Sequence, residues 1–136
     1  MSSNSSTSTS TMSIVPVLTG SNWLAFERLM TAYLQSQGLA KHIDSALCWP
    51  KNLTTDEMTA LYDESTPSKE KDTLQAIKDT FDDFKEKNDK AKGYITMKLL
   101  PSLQHLVKKD KKAEELWTAL QTKFGKQGQV ATFGRF

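Results

Sequence analysis

The stretch LTGSNWLAFERLMTAYLQSQGLAKHID, residues 18–44, says most about the fold class. At 3.6 residues per turn, Trp23, Phe26, Met30, Tyr33 and Leu34 share one face, while Glu27, Arg28 and Gln35 fall elsewhere. Apolar residues at this spacing predict an amphipathic helix with its aromatics turned to a core. Gly20 or Ser21 is expected at the N-cap, and Gly38 stands where the residue after a helix C-cap belongs. Leu39 to Ile43 should add one or two further turns.

Upstream, Ile14-Val15-Pro16-Val17-Leu18 reads as an extended arm along the domain, since no second strand candidate exists to pair with it. Met1 to Met12 is mostly Ser and Thr and has too few apolar groups to offset the entropy of ordering, so residues 1–12 read as a disordered tail. Downstream, Trp49-Pro50 and Thr66-Pro67-Ser68 are breaks. Between them, Thr54 with Glu57 predicts a capping box opening a short helix through Tyr62, and Ser68 is expected to cap the next helix. Leu74, Ile77, Phe81, Phe84, Ala91, Ile95 and Leu99 then recur at helical spacing, giving one long helix, or two with a bend near Asn88, before Pro101. Leu103, Leu106 and Val107 predict a short helix. Ala113, Leu116, Trp117, Leu120 and Phe124 predict an amphipathic one stopped by Gly125. No stretch keeps a period of two. The expected fold is all-α, a compact bundle of about four to six helices over residues 13–136. Three apolar stripes should meet in its core, anchored by Trp23, Phe26, Met30, Phe81, Phe84, Ile95, Leu99, Trp117, Leu120 and Phe124.

A chain of 136 residues suffices for one domain with a core that needs no disulfide or metal. The lone cysteine, Cys48, excludes an internal disulfide and favours a reducing, cytoplasmic setting. A net charge of +2 demands neither nucleic acid nor anionic lipid. No run approaches the roughly 18 to 20 apolar residues of a bilayer span, so no membrane partner is expected. The tail has neither the basic nor the apolar region of a secretory signal, and Ser2 excludes myristoylation. Without a secretion route, Asn4-Ser5-Ser6 and Asn52-Leu53-Thr54 read as chance matches to the glycosylation pattern.

Convergent reactive groups are missing from the pattern. His42 and His105 lack the spacing that sets two imidazoles on one helical face, and a single Cys makes no zinc knuckle. Cys48 reads as a small buried hydrophobe rather than a nucleophile. Phosphate-cradling glycine motifs and the nucleophile elbow are absent, and Asp44-Ser45-Ala46 lacks the glycine of an aspartic-protease triplet. Asp82, Asp83 and Glu86 beside lysines read as solvated ion pairs. No enzyme, cofactor, metal or small-molecule substrate is expected. The one basic patch, Lys108, Lys109, Lys111 and Lys112, has the charge for phosphate contacts. It is interrupted by Asp110 and followed by Glu114 and Glu115, with no interleaved aromatics for base stacking. Trp49 reads as a lid over the core.

Three blocks of residues also carry a resemblance. Leu18-Thr19-Gly20-Ser21-Asn22-Trp23, Phe26, Met30, Leu34, Gly38-Leu39 and Ile43 resemble the opening of copia-type LTR-retrotransposon Gag polypeptides, roughly L-x-G-x-N-Y/F-x-x-W followed by a helix and G-L-W. Phe84, Asn88, Lys90-Ala91, Ile95 and Leu99 are similar to that family's W-x-x-x-[ND]-x-[KR]-A-x-x-x-I-x-x-x-L helix. Ala113, Glu115, Trp117, Leu120 and Phe124 are similar to its A-x-E-x-W-x-x-L-x-x-x-[YF] helix. Trp23, Phe26 and Phe84 exchange one aromatic for another, whereas Ala40 replaces a tryptophan and the Trp49–Ser68 insert has no counterpart. The blocks stand in family order over residues 17 to 130.

The resemblance implies a non-catalytic structural protein, a capsid N-terminal lobe that self-associates into a shell packaging the element's RNA. Family members continue with further helices, often a zinc knuckle, and then enzymes. Gly134-Arg135-Phe136 falls inside the next expected helix, which implies a fragment, a degenerate copy or a trimmed form. The alternative is a nucleic-acid-binding or host-recruited helical module using Lys108 to Lys112.

Overall fold

A computed structural model of the chain describes residues 12–125. Its helices are α1 (Trp23–Ser36), α2 (Thr55–Tyr62), α3 (Ser68–Met97) and α4 (Ala113–Leu120). Short 3-10 turns occupy Ala40–Ile43 and Pro101–Leu106, and a π-helical turn at Gln121–Gly125 prolongs α4. The fold is all-α, with no strand among the described residues. The residues form two compact units, one of chain up to Leu47 together with chain from Asn88 onward, the other Cys48–Lys87. Helix α3 contributes residues to both. Of the expected tail, residues 1–11 lie outside the described residues, as does the expected chain end beyond Gly125. Met12 itself is buried, in a helical turn at 12–14.

In the first unit, the buried face of α1 is Trp23, Phe26, Met30, Tyr33 and Leu34. Its entry differs from expectation, because Asn22 rather than Gly20 or Ser21 occupies the N-cap. The Asn22 side chain ties the preceding turn instead of capping the helix: Oδ1 accepts from the Thr19 backbone N–H at 2.9 Å and Nδ2 donates to the Val17 carbonyl at 2.9 Å. Gly20 turns the chain there with φ of 102°, a region closed to most side chains. The exit closes as a Schellman motif. Leu39 N–H donates to the Leu34 carbonyl at 2.7 Å and Gly38 N–H to that of Gln35 at 3.1 Å, with Gly38 at φ 71°.

Against α1 pack the C-terminal part of α3, through Ala91, Ile95 and Leu99, and the last helix, through Ala113, Leu116, Trp117, Leu120 and Phe124. The rings of Trp23, Phe26 and Trp117 meet pairwise with centroids 5.3 to 6.0 Å apart. The N-terminal arm is not the unpaired segment expected. Val15 and Leu18 are buried while Ile14 and Val17 are exposed. Leu18 makes a single parallel bridge to Leu99, its N–H donating to the Lys98 carbonyl at 2.7 Å and its carbonyl accepting from Leu100 N–H at 3.3 Å.

Tyr33 and Tyr94 meet edge to face at 5.1 Å in the same unit. Burial, then the hydrogen bond with Tyr94, holds the Tyr33 phenol above its ordinary value of 10.0. The folded state therefore disfavours the phenolate. This contribution to stability is complete below pH 10 and is lost as pH rises through the raised value. The urea midpoint should fall with alkalinity above pH 10, and less steeply in Tyr33→Phe; equal alkaline slopes in the two proteins would contradict this.

The second unit is small. Thr54 and Glu57 form the expected reciprocal capping box of α2: Glu57 N–H donates to Thr54 Oγ1 at 3.1 Å and Thr54 N–H to Glu57 Oε1 at 2.9 Å. Lys51 Nζ at 2.7 Å, followed by the Thr54 amide, holds the Glu57 carboxyl below its usual range. Pro67 precedes α3 and its carbonyl accepts from Lys71 N–H at 3.0 Å, so Ser68 is the first helical residue rather than the cap. Leu53, Leu61 and Leu74 form the unit's buried cluster.

Phe81 and Phe84 do not join the Trp23–Trp117 core, as the three-stripe picture requires. They are half-buried in the second unit, where Trp49 packs on them at 5.7 and 4.7 Å. The reason is length. A 30-residue helix runs about 45 Å at 1.5 Å per residue, more than one small core can cover. Its apolar stripe is continuous in sequence but is shared between two sets of partners. Trp49 is thus a lid on Phe81 and Phe84, and Cys48 beside it is exposed rather than buried.

Candidate functional site

The residues joining the Pro101–Leu106 turn to α4 carry Lys108, Lys109, Lys111 and Lys112, all exposed. Their backbone is held by two residues one turn apart on α3. Lys92 Nζ donates to the carbonyls of Lys108 and of Lys111, the latter at 2.6 Å. Asn88, 2% exposed, accepts at Oδ1 from the N–H of Ala113, the first residue of α4, at 3.2 Å. Since that oxygen is engaged, the Asn88 amide nitrogen faces His42 Nδ1, 3.3 Å away, and donates to it. His42 is completely buried. At the base of α4, Glu115 Oε1 accepts from Lys112 N–H at 2.8 Å, and Oε2 lies 3.9 Å from Lys111 Nζ. The lysine loop is therefore anchored at both ends while its four lysines remain exposed residues.

Beside it opens a cleft of about 340 Å³. It is lined by Leu106, Leu116 and Ala119 together with His105, Lys108, Lys111 and Glu115. Charge is unevenly divided between the two units. Chain up to Leu47 and from Asn88 holds twelve Lys and Arg against six Asp and Glu, whereas Cys48–Lys87 holds six against ten. The overall +2 conceals a basic unit of +6 and an acidic unit of −4.

Of the residues singled out from sequence, Trp23, Phe26, Met30, Ile95, Leu99, Trp117, Leu120 and Phe124 are buried together in the first unit; Phe81 and Phe84 are elsewhere. Sequence reasoning missed the clamp of Asn88 and Lys92. Asn88 reads as an interruption of an apolar stripe and as a match to the family helix's [ND] position, and no motif singles out Lys92. Their spacing of four on one helix was the available signal. Among the described residues no cluster of His, Cys, Asp and Glu has the arrangement to hold a metal, and no helix is long and apolar enough to cross a membrane.

The family model for the gag-polypeptide of LTR copia-type elements matches residues 30–133. The chain belongs to that Gag family. The matched region takes in Asn88, Lys92, the lysine loop and α4 of this Gag chain, and begins after Trp23 and Phe26. No curated protein and no solved structure matches the chain. Family membership supports a Gag-like structural role.

Proposed function

We propose that this Gag chain is a non-catalytic capsid building block, with residues 13–136 as its capsid-like region. Copies self-associate inside the cell into a particle that packages element RNA. The observation carrying this reading is the copia-type Gag match across residues 30–133. The packing is consistent with it, since the aromatic anchors Trp23, Phe26 and Trp117 are spent on the interior, which leaves the helix exteriors for neighbours. Shell formation needs no single tight contact, because repeated weak contacts multiply through multivalency. Chain expressed together with its element RNA should yield sedimenting particles, visible by electron microscopy, that contain nuclease-resistant RNA. Chain that stays non-sedimenting and protects no RNA would refute the proposal.

The clamp on Lys108 to Lys112 favours a second role for the same chain, contact with nucleic acid through these four exposed lysines. Binding to single-stranded RNA should fall steeply with salt, as phosphate contacts release counterions. Replacing all four lysines by Gln should remove most of it; unchanged binding would exclude the loop.

A further inference from the structure

Five large apolar side chains stand exposed among the described residues: Ile14, Val17, Leu24, Tyr62 and Met97. Four belong to the basic unit. Tyr62 alone belongs to the acidic unit, and it alone is followed directly by two carboxylates, Asp63 and Glu64. It is the last residue of α2 and 68% exposed. The turn after it is set by Asp63, whose Oδ1 accepts from the Ser65 N–H at 2.9 Å and hydroxyl at 2.8 Å. An aromatic ring is thus presented at a helix end next to Asp63 and Glu64, with Lys78 and Lys71 of α3 near enough to act on Tyr62 and Asp63. The cleft of the other unit joins the apolar surface of Leu106, Leu116 and Ala119 to His105, Lys108, Lys111 and Glu115, so that its two lysines outnumber its one carboxylate.

We infer that Tyr62 of one copy enters the cleft of a second copy, with Asp63 and Glu64 meeting its Lys108 and Lys111. This rests on the self-association reading above and names its contact. Three observations favour a second copy as the occupant. The volume of about 340 Å³ admits an aromatic side chain. The two units carry net charges of opposite sign, +6 against −4, and the cleft's two lysines outnumber its one carboxylate, Glu115. And tyrosine is among the residues that most often carry binding energy when seated in a desolvated pocket within a polar rim. Each copy then offers one key and one cleft. Such a heterologous contact propagates from copy to copy into a ring or an open filament; a closed shell needs a further contact beside it. Its ion pairs make it weaken as salt is raised.

The key and the cleft are separable by mutation. A key variant combines Tyr62→Ala with Glu64→Gln; a cleft variant combines Lys108→Glu with Lys111→Glu. Ala119→Gln, at an exposed position of α4, fills the cleft without changing charge and serves if the lysine reversals disturb the loop. Circular dichroism checks that each folds. By sedimentation velocity at low salt, each variant alone should associate about tenfold more weakly than the parent or worse, the equivalent of roughly 1.4 kcal/mol. An equimolar mixture of key and cleft variants should form a one-to-one dimer and nothing larger, because one intact key and one intact cleft remain. Variants that associate like the parent, or a mixture no heavier than its components, would overturn this contact while leaving self-association standing. A parent chain that is monomeric throughout would overturn both. If the lysine reversals abolish binding to single-stranded RNA while the key variant and Ala119→Gln assemble normally, the face is a nucleic-acid surface and the contact is refuted.

Discussion

Trp117→Ala is expected to destabilise the first unit by about 3 to 5 kcal/mol, the range for emptying a buried tryptophan site. Trp117 is 5% exposed and its ring lies 5.3 Å from that of Trp23 and 6.0 Å from that of Phe26. Removing it leaves both neighbours facing a void and forfeits two ring contacts worth about 0.5 to 1.5 kcal/mol each beyond burial. Leu116 and Leu120 point the same buried helix into the core, so α4 cannot shift inward without moving them. Small domains are stable by only about 5 to 15 kcal/mol, so the variant should be partly unfolded near physiological temperature. Trp117→Phe, which keeps a ring at the site, should lose less than half as much. Urea titration followed by circular dichroism at helical wavelengths measures both; a loss below about 1 kcal/mol for the alanine variant would contradict the placement of Trp117.

Asn88→Ala is the second large effect. The change strips partners from two buried groups at once, the Ala113 N–H and His42 Nδ1. Leaving a buried donor or acceptor unmade costs roughly 1 to 3 kcal/mol each, so a loss of roughly 2 to 5 kcal/mol is expected. The consequence reaches beyond stability. Asn88 fixes the first residue of α4, while Lys92 fixes the carbonyls just before it. Loss of the Asn88 contact should therefore loosen the lysine loop. Amide exchange at Ala113 and in residues 108–112 should accelerate in the variant more than at Met30 or Leu34. Uniform acceleration across the first unit would mean that Asn88 only contributes to global stability. A double-mutant cycle with His42→Ala should show the two residues coupled by about 0.5 kcal/mol or more; additive losses would deny the bond between them.

The local features were legible in the sequence for a physical reason: they are written within one or two turns. The stripe Trp23, Phe26, Met30, Tyr33, Leu34 is the buried face of α1, Gly38 closes its Schellman motif, and Thr54 with Glu57 caps α2. Each depends on neighbours a few residues away. The N-cap of α1 misleads because Asn22, though a good capping residue, spends its side chain on Thr19 and Val17. The partition of α3 is a different problem. Leu74 to Phe84 and Ala91 to Leu99 repeat with the same period, and period tells which face is buried but not against what. The partners, Leu53, Leu61 and Trp49 for one part and α1 with α4 for the other, come from distant chain. The clamp on the lysine loop was hidden for the same reason: Asn88 and Lys92 act on residues 16 to 25 positions away. So was the exposure of Tyr62, which in the sequence only marks the expected end of α2.

Sedimentation velocity of this chain from micromolar to millimolar concentration tests the capsid reading most directly. The expected result is a weight-average mass that climbs with concentration and retreats when salt is added. A single monomeric boundary over the whole range, unchanged by lowering the salt, would contradict a self-associating Gag building block.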